Sequence, residues 1–179
     1  MHGKLILNTT FLGLDINEDA ALLTKLNFEN SPFHVRLKNK HQDFKTFESE
    51  EQFDLIVSNP PYFEESGSEK DKIARQTVEL NFRQLISKAS GLLSGSGIFS
   101  VIIPVEAGAV FISIGKEKNL FLNRKINIKG IENSKAKRLI LEFSLEEKEI
   151  RESDFIIEIS PRQYSDQYLE LTKDFYLKM

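Results

Sequence analysis

The sequence contains no cysteine among its 179 residues. That excludes a disulfide framework and any thiolate metal site. The three histidines, His2, His34 and His41, show no ligand spacing, so no metal is expected. No window approaches the roughly 18 apolar residues of a membrane span, and the apolar patch at 5–7 is too short for a secretory signal. A cytoplasmic protein with no membrane partner is the expectation. Excess positive charge is also lacking. With 24 Lys and Arg against 27 Asp and Glu, the formal net charge is -3, which argues against indiscriminate polyanion binding but leaves room for a local basic stripe. Repeats, low-complexity tracts and Pro/Gly/Ser linkers are missing too, so residues 1–179 are expected to form one domain.

What is present is strand and helix in alternation. Residues 11–16 (FLGLDI) read as a strand, 17–28 as a helix with Ala20, Leu22, Leu23 and Leu26 at helical spacing, and 33–37 as a second strand. Residues 53–58 (FDLIVS) are a third strand, stopped by Pro60 and Pro61 because proline has no N–H for a ladder. Residues 78–93 read as a helix. Gly95-Ser96-Gly97 turns the chain into 98–104 (IFSVIIP), a strand expected to be buried on both faces. The runs 124–131, 138–145 and 155–159 read as antiparallel strands, and Phe175 and Tyr176 as residues that close the core.

Near-continuous apolar strands separated by helices predict an α/β fold with a parallel sheet, whose ligands bind at the carboxyl ends of the strands. Asp15, Asp43 and residues 58–62 are expected along that edge.

Asn59-Pro60-Pro61-Tyr62 carries the most chemistry. An adenine amino group is a poor nucleophile because its lone pair is delocalised into the ring. The Asn59 side-chain carbonyl and the Pro60 backbone carbonyl together can accept both of its N–H groups and redirect the lone pair. Two prolines keep backbone carbonyls from being consumed by a helix, and Tyr62 offers a flat face to an extruded base. The alternative is a strand-terminating turn with an aromatic packed beneath it.

With these residues the sequence resembles the amino-methyltransferases, whose signature is Asn/Asp-Pro-Pro-aromatic after the fourth strand of a Rossmann-like sheet. Within them it is most similar to the bacterial tRNA (adenine-N6)-methyltransferase family acting on valine tRNA beside the anticodon. The resemblance runs from about Leu12 to Met179. It rests on Gly13-Leu14-Asp15 before Ala20-Ala21, Asn30-Ser31-Pro32-Phe33, FDLIVSNPPYF, Ala74-Arg75 and the ending YSDQYLELTKDFYLKM. It implies a class I methyltransferase sheet, mostly parallel with an antiparallel C-terminal hairpin, S-adenosylmethionine as cofactor and tRNA as partner.

The resemblance also implies site residues. Asn59, Pro60 and Tyr62 would be catalytic; Asp15 would accept from the cofactor ribose, Asp43 from its adenine, and Asn59 would border the cofactor; Tyr62, Phe63 and Arg75 would meet the substrate. Competing roles stay open: a helix-capping acid for Asp15, a solvated loop residue for Asp43 and a surface arginine for Arg75. The cations Arg124, Lys125, Lys129, Lys135, Lys137 and Arg138 form either an RNA grip or a solvated hairpin face, while the acids at 146–154 are expected to be exposed and away from RNA.

The family pattern has a first strand and a glycine-rich cofactor loop. Before Asp15 the only glycines are Gly3 and Gly13, outside any G-x-G pattern. The expectation is therefore an incomplete, N-terminally truncated domain lacking that strand and loop, with weak or absent cofactor binding. Two other readings remain: methylation of a glutamine amide in a release factor, and a non-catalytic RNA-binding fragment.

Overall fold

In the computed structural model, residues 9–60 and 69–175 are described, with the side chains of 69–80 excepted. The chain forms two compact units, Met1–Glu50 and Glu51–Met179.

In the first unit, β1 (Phe11–Asp15) leads into α1 (Glu18–Glu29) and then β2 (Leu37–His41). Asn17 starts α1 by accepting the Ala20 N–H at 2.9 Å, and Glu18 and Asp19 suit the positive end of the helix dipole. The strands pair in parallel, Phe11 opposite Leu37 and Asp15 opposite His41. Asn39 ties β2 to the helix by donating to the Ala21 carbonyl at 2.7 Å.

The strand expected at 33–37 is a correction. His34–Arg36 is a 3₁₀ turn, and the strand begins at Leu37. The backbone donors of His34 and Arg36 go to the carbonyls of Ser31 and Phe33, so they are not available to a ladder. Phe33 and Val35 are exposed, and the Arg36 guanidinium lies 5.2 Å from the Phe33 ring centre. The alternation was that of a turn with apolar residues on its outside.

The second unit contains β3 (Phe53–Ser58), α2 (Glu69–Leu92), β4 (Leu93–Pro104), α3 (Gly108–Glu117), β5 (Phe121–Ile131), β6 (Ala136–Ser144), β7 (Arg151–Ser160), β8 (Gln163–Tyr164) and α4 (Asp166–Thr172). Six strands form one sheet in the order β3-β4-β6-β5-β7-β8. β3 and β4 are parallel, β6 is antiparallel to both β4 and β5, β7 is parallel to β5, and β8 is antiparallel to β7. Hence β3, β4, β5 and β7 all point the same way. The expected antiparallel hairpin is β5–β6, whereas the third run pairs in parallel, because alternation of apolar residues specifies a face and not a strand direction.

The Gly-Ser-Gly segment, expected as the turn into the strand 98–104, instead bulges within β4, which already begins at Leu93. Phe53 faces Leu93 and Leu55 faces Ile98, so β4 advances five residues while β3 advances two. Gly97 permits it, since a Cβ there would lie 2.7 Å from the Phe53 carbonyl oxygen.

Phe99, Val101 and Ile103 on one face of β4 meet Phe82 and Ile86 of α2, Phe111 and Ile114 of α3, and Leu141 and Phe143 of β6 in the core. Phe111 is central, with ring centres at 5.0 Å from Phe82 and 5.8 Å from Phe143. Each such ring contributes about 1.5–3 kcal/mol by leaving water. The other face of β4 is less covered than expected, with Ile98 exposed, and Phe175 is 83% exposed and closes no core. Tyr176 lies outside the described residues. No described helix is long and apolar enough to cross a membrane.

Candidate active site

β1 delivers Asp15 to the carboxyl end of the two-stranded sheet. Its Oδ1 accepts the Asn17 N–H at 2.8 Å. Asn17, not Asp15, caps α1, so the capping alternative for Asp15 falls away. The Gln42 N–H donates to the Asp15 carbonyl at 2.9 Å, and His41 Nε2 lies 3.0 Å from the Ile16 carbonyl. These bonds from the end of β2 hold the 15–17 turn in place. Sequence reasoning passed over His41 and Gln42, whose importance comes from partners about 25 residues away.

Asp43 follows directly. It caps the 3₁₀ turn Phe44–Thr46 by accepting the Lys45 N–H at 2.9 Å through Oδ1. Asp15 and Asp43 are thus at the same end of the parallel pair, each with Oδ1 committed to a backbone N–H and Oδ2 without a partner among the described residues. A half-committed carboxylate is oriented yet still able to accept from a hydroxyl or amino group.

In the second unit, β3 ends at Ser58 and presents Asn59 and Pro60. The Asn59 side chain is exposed and has no hydrogen-bond partner among the described residues, while Pro60 is buried. An anchored backbone carrying an uncommitted amide can receive a planar donor group. Tyr62 and Phe63 lie outside the described residues; Arg75 is on α2, with its side chain outside the description. Among the described residues, no group of three His, Cys, Asp or Glu could hold a metal ion.

The basic cluster divides. Lys125 meets Glu152 at 2.9 Å, Lys129 pairs with Asp154 and Arg124 lies 3.4 Å from Glu142. Glu152 and Asp154 are exposed, as expected, but they are the counterions of β5. The Asn127 amide and then Lys125 hold Glu152 below the usual carboxylate range, and Lys129 and then Asn127 do the same for Asp154. Lys135 and Lys137, at the far end of the hairpin, are exposed and have no acid paired with them among the described residues.

The family model described as Eco57I restriction-modification methylase matches residues 29–138. A tRNA1(Val) (adenine(37)-N6)-methyltransferase from Flavobacteriaceae bacterium strain 3519-10 is 48% identical over 164 residues, covering 91% of this chain and 71% of that protein. Among solved structures, a predicted O-methyltransferase from Agrobacterium tumefaciens superposes with a TM-score of 0.70 at 15% identity, over 90% of this chain and 76% of the other. The N-methyltransferase NodS from Bradyrhizobium japonicum, in complex with S-adenosyl-L-homocysteine, gives 0.53 at 17% identity, over 75% and 65%. The likeness of fold is to class I methyltransferases, matching the Rossmann-like sheet expected from the sequence, and the close sequence relationship makes this chain a member of the tRNA1(Val) (adenine(37)-N6)-methyltransferase family.

Proposed function

We propose that the chain methylates the exocyclic N6 of an adenine in tRNA, next to the anticodon of valine tRNA, with Asn59 and Pro60 as the acceptor pair for the target amino group. The observation that carries this reading is the exposed, uncommitted Asn59 amide placed by buried Pro60 at the carboxyl end of a parallel strand. Bound S-adenosylmethionine supplies an electrophilic methyl group. The protein's own work is orientation: Asn59 Oδ1 and the Pro60 carbonyl accept the two N–H bonds, which turns the nitrogen lone pair out of conjugation. No strong base is required: as the N–C bond forms the methyl group's bond to the donor sulfur breaks, and the amino proton, now acidic, is lost to water. The half-committed carboxylates of Asp15 and Asp43 fit a cofactor that offers a ribose diol and an adenine amino group.

Tyr62 and Phe63 are assigned to stacking on the extruded base and Arg75 to a substrate phosphate. The two compact units are assigned to one methyltransferase domain, and the protein to the cytoplasm. The test is methyl transfer from labelled S-adenosylmethionine to unmodified tRNA, with Asn59→Ala as control. Label at adenine N6 that disappears in the variant supports the reading; label on protein glutamine instead sinks it.

A further inference from the structure

Four strands of the six-stranded sheet, β3, β4, β5 and β7, point the same way, so their carboxyl ends lie along one edge. Asn59 stands at that edge beyond β3. Further along are the β5–β6 turn after Ile131 and the β7–β8 turn after Ser160. Glu158 links them, paired with Ile131 on one side and Tyr164 on the other. Neighbouring strands are about 4.8 Å apart, so β5 and β7 lie roughly 14 and 19 Å across the sheet from β3. In the ladder Ser58 is level with Lys125 of β5 and Glu152 of β7, so at about 3.3 Å per residue the two turns also lie roughly 20–26 Å beyond it along the strands. That span suits nucleotides several positions from a target base, not the base itself.

The side chains at these two turns have a distinct character. Lys135, Lys137 and Arg162 are exposed, and none has an ion pair among the described residues. The acids of the two turns are Glu132 and Glu158; Arg138 has interactions of its own. By contrast Lys125 and Lys129 of β5 are neutralised by Glu152 and Asp154. Tyr164 is 40% exposed and stacks on Tyr168 with ring centres 4.9 Å apart, which fixes its ring while leaving part of it open. Pro161-Arg162 follows the pattern of a type II turn, whose second central residue is usually Gly or Asn, yet here Arg162 takes φ 67°. Free cations beside a held aromatic ring are the chemistry of single-stranded nucleic-acid binding.

We propose that Lys135, Lys137, Arg162 and Tyr164 form a second RNA contact on the same sheet edge as Asn59, taking phosphates and one base of the RNA that flanks the target adenine. The inference rests on tRNA being the substrate. Its test is the affinity of unmodified tRNA for the full chain across a salt series. The triple variant Lys135→Ala, Lys137→Ala, Arg162→Ala should bind about tenfold more weakly. Its slope of log affinity against log salt should be shallower by about 2–3, close to one per lost phosphate contact. Tyr164→Ala should weaken binding several-fold without changing that slope. The charge-neutral pair Lys125→Ala with Glu152→Ala should bind like the parent.

A triple variant with parental affinity and slope overturns the inference while leaving the proposed methylation intact. Equal loss from the Lys125/Glu152 pair also overturns it, because the effect would not be particular to the two turns. A parent chain that binds no tRNA at all would instead remove the substrate reading on which the inference depends.

Discussion

Lys125 stands opposite Glu152 in the parallel β5–β7 register, and its ammonium meets that carboxylate at 2.9 Å. Asn127 completes the arrangement by donating to both Glu152 and Asp154. The sign of the resulting pH dependence follows. Both carboxyl groups are held below their ordinary range in the folded state, so their contribution to stability is present above the unfolded carboxylate pKa of about 4 and is lost as pH falls through the lowered values. Asn127→Ala should move both titrations upward in a carboxyl-carbon NMR titration. Unchanged titration curves would show that the amide is not a cause of the shift.

Asn59→Ala should lower the single-turnover methylation rate by about 10²–10³-fold, the usual loss when a preorganised polar group at a reacting centre is removed. The side chain is exposed, so stability should change by no more than about 0.5 kcal/mol. A rate within a few-fold of the parent would remove Asn59 from the chemistry.

For Asp15→Ala, the expected outcome is roughly ten- to a hundredfold weaker S-adenosylmethionine binding in calorimetry, corresponding to a lost charge-assisted hydrogen bond of about 1.5–3 kcal/mol. Asp15→Asn keeps an acceptor for the Asn17 N–H and should lie between parent and alanine. Equal affinity in all three would dissociate Asp15 from the cofactor.

Much of this site was legible in the sequence, for reasons that differ by residue. The run 53–58 was read with the bounds it has, because Pro60 enforces a stop that no tertiary contact can override. Asp15 was legible because its apolar strand ends there. The strand Leu37–His41 was not, since LKNKH is largely polar and owes its conformation to pairing with β1. Helix α3 was missed as well: GAVFISIGKE is rich in glycine and β-branched residues, and it is helical because Phe111 and Ile114 fit the core.

That helix supplies a stability prediction. Phe111→Ala should cost about 3–5 kcal/mol in denaturant unfolding, because a fully buried ring between Phe82, Phe99 and Phe143 leaves a cavity. Val110→Ala on the exposed side should change little, within about 0.5 kcal/mol. Similar effects from both would mean that α3 does not dock through Phe111.

The two-stranded sheet of β1 and β2 has a further consequence. Among the described hydrophobic residues of Met1–Glu50, only Ala21 and Phe47 are buried, and the ladder has five paired positions. So little apolar burial predicts that, among the described strands, the amides of β1 and β2 exchange with deuterium before those of the six-stranded sheet, through local opening. The carboxylates assigned to the cofactor sit in that unit, so a ligand held only by the closed form must slow its exchange as ligand concentration rises. Affinity then contains the free energy of closing β1 onto β2, and it can be tuned by residues that never touch the ligand.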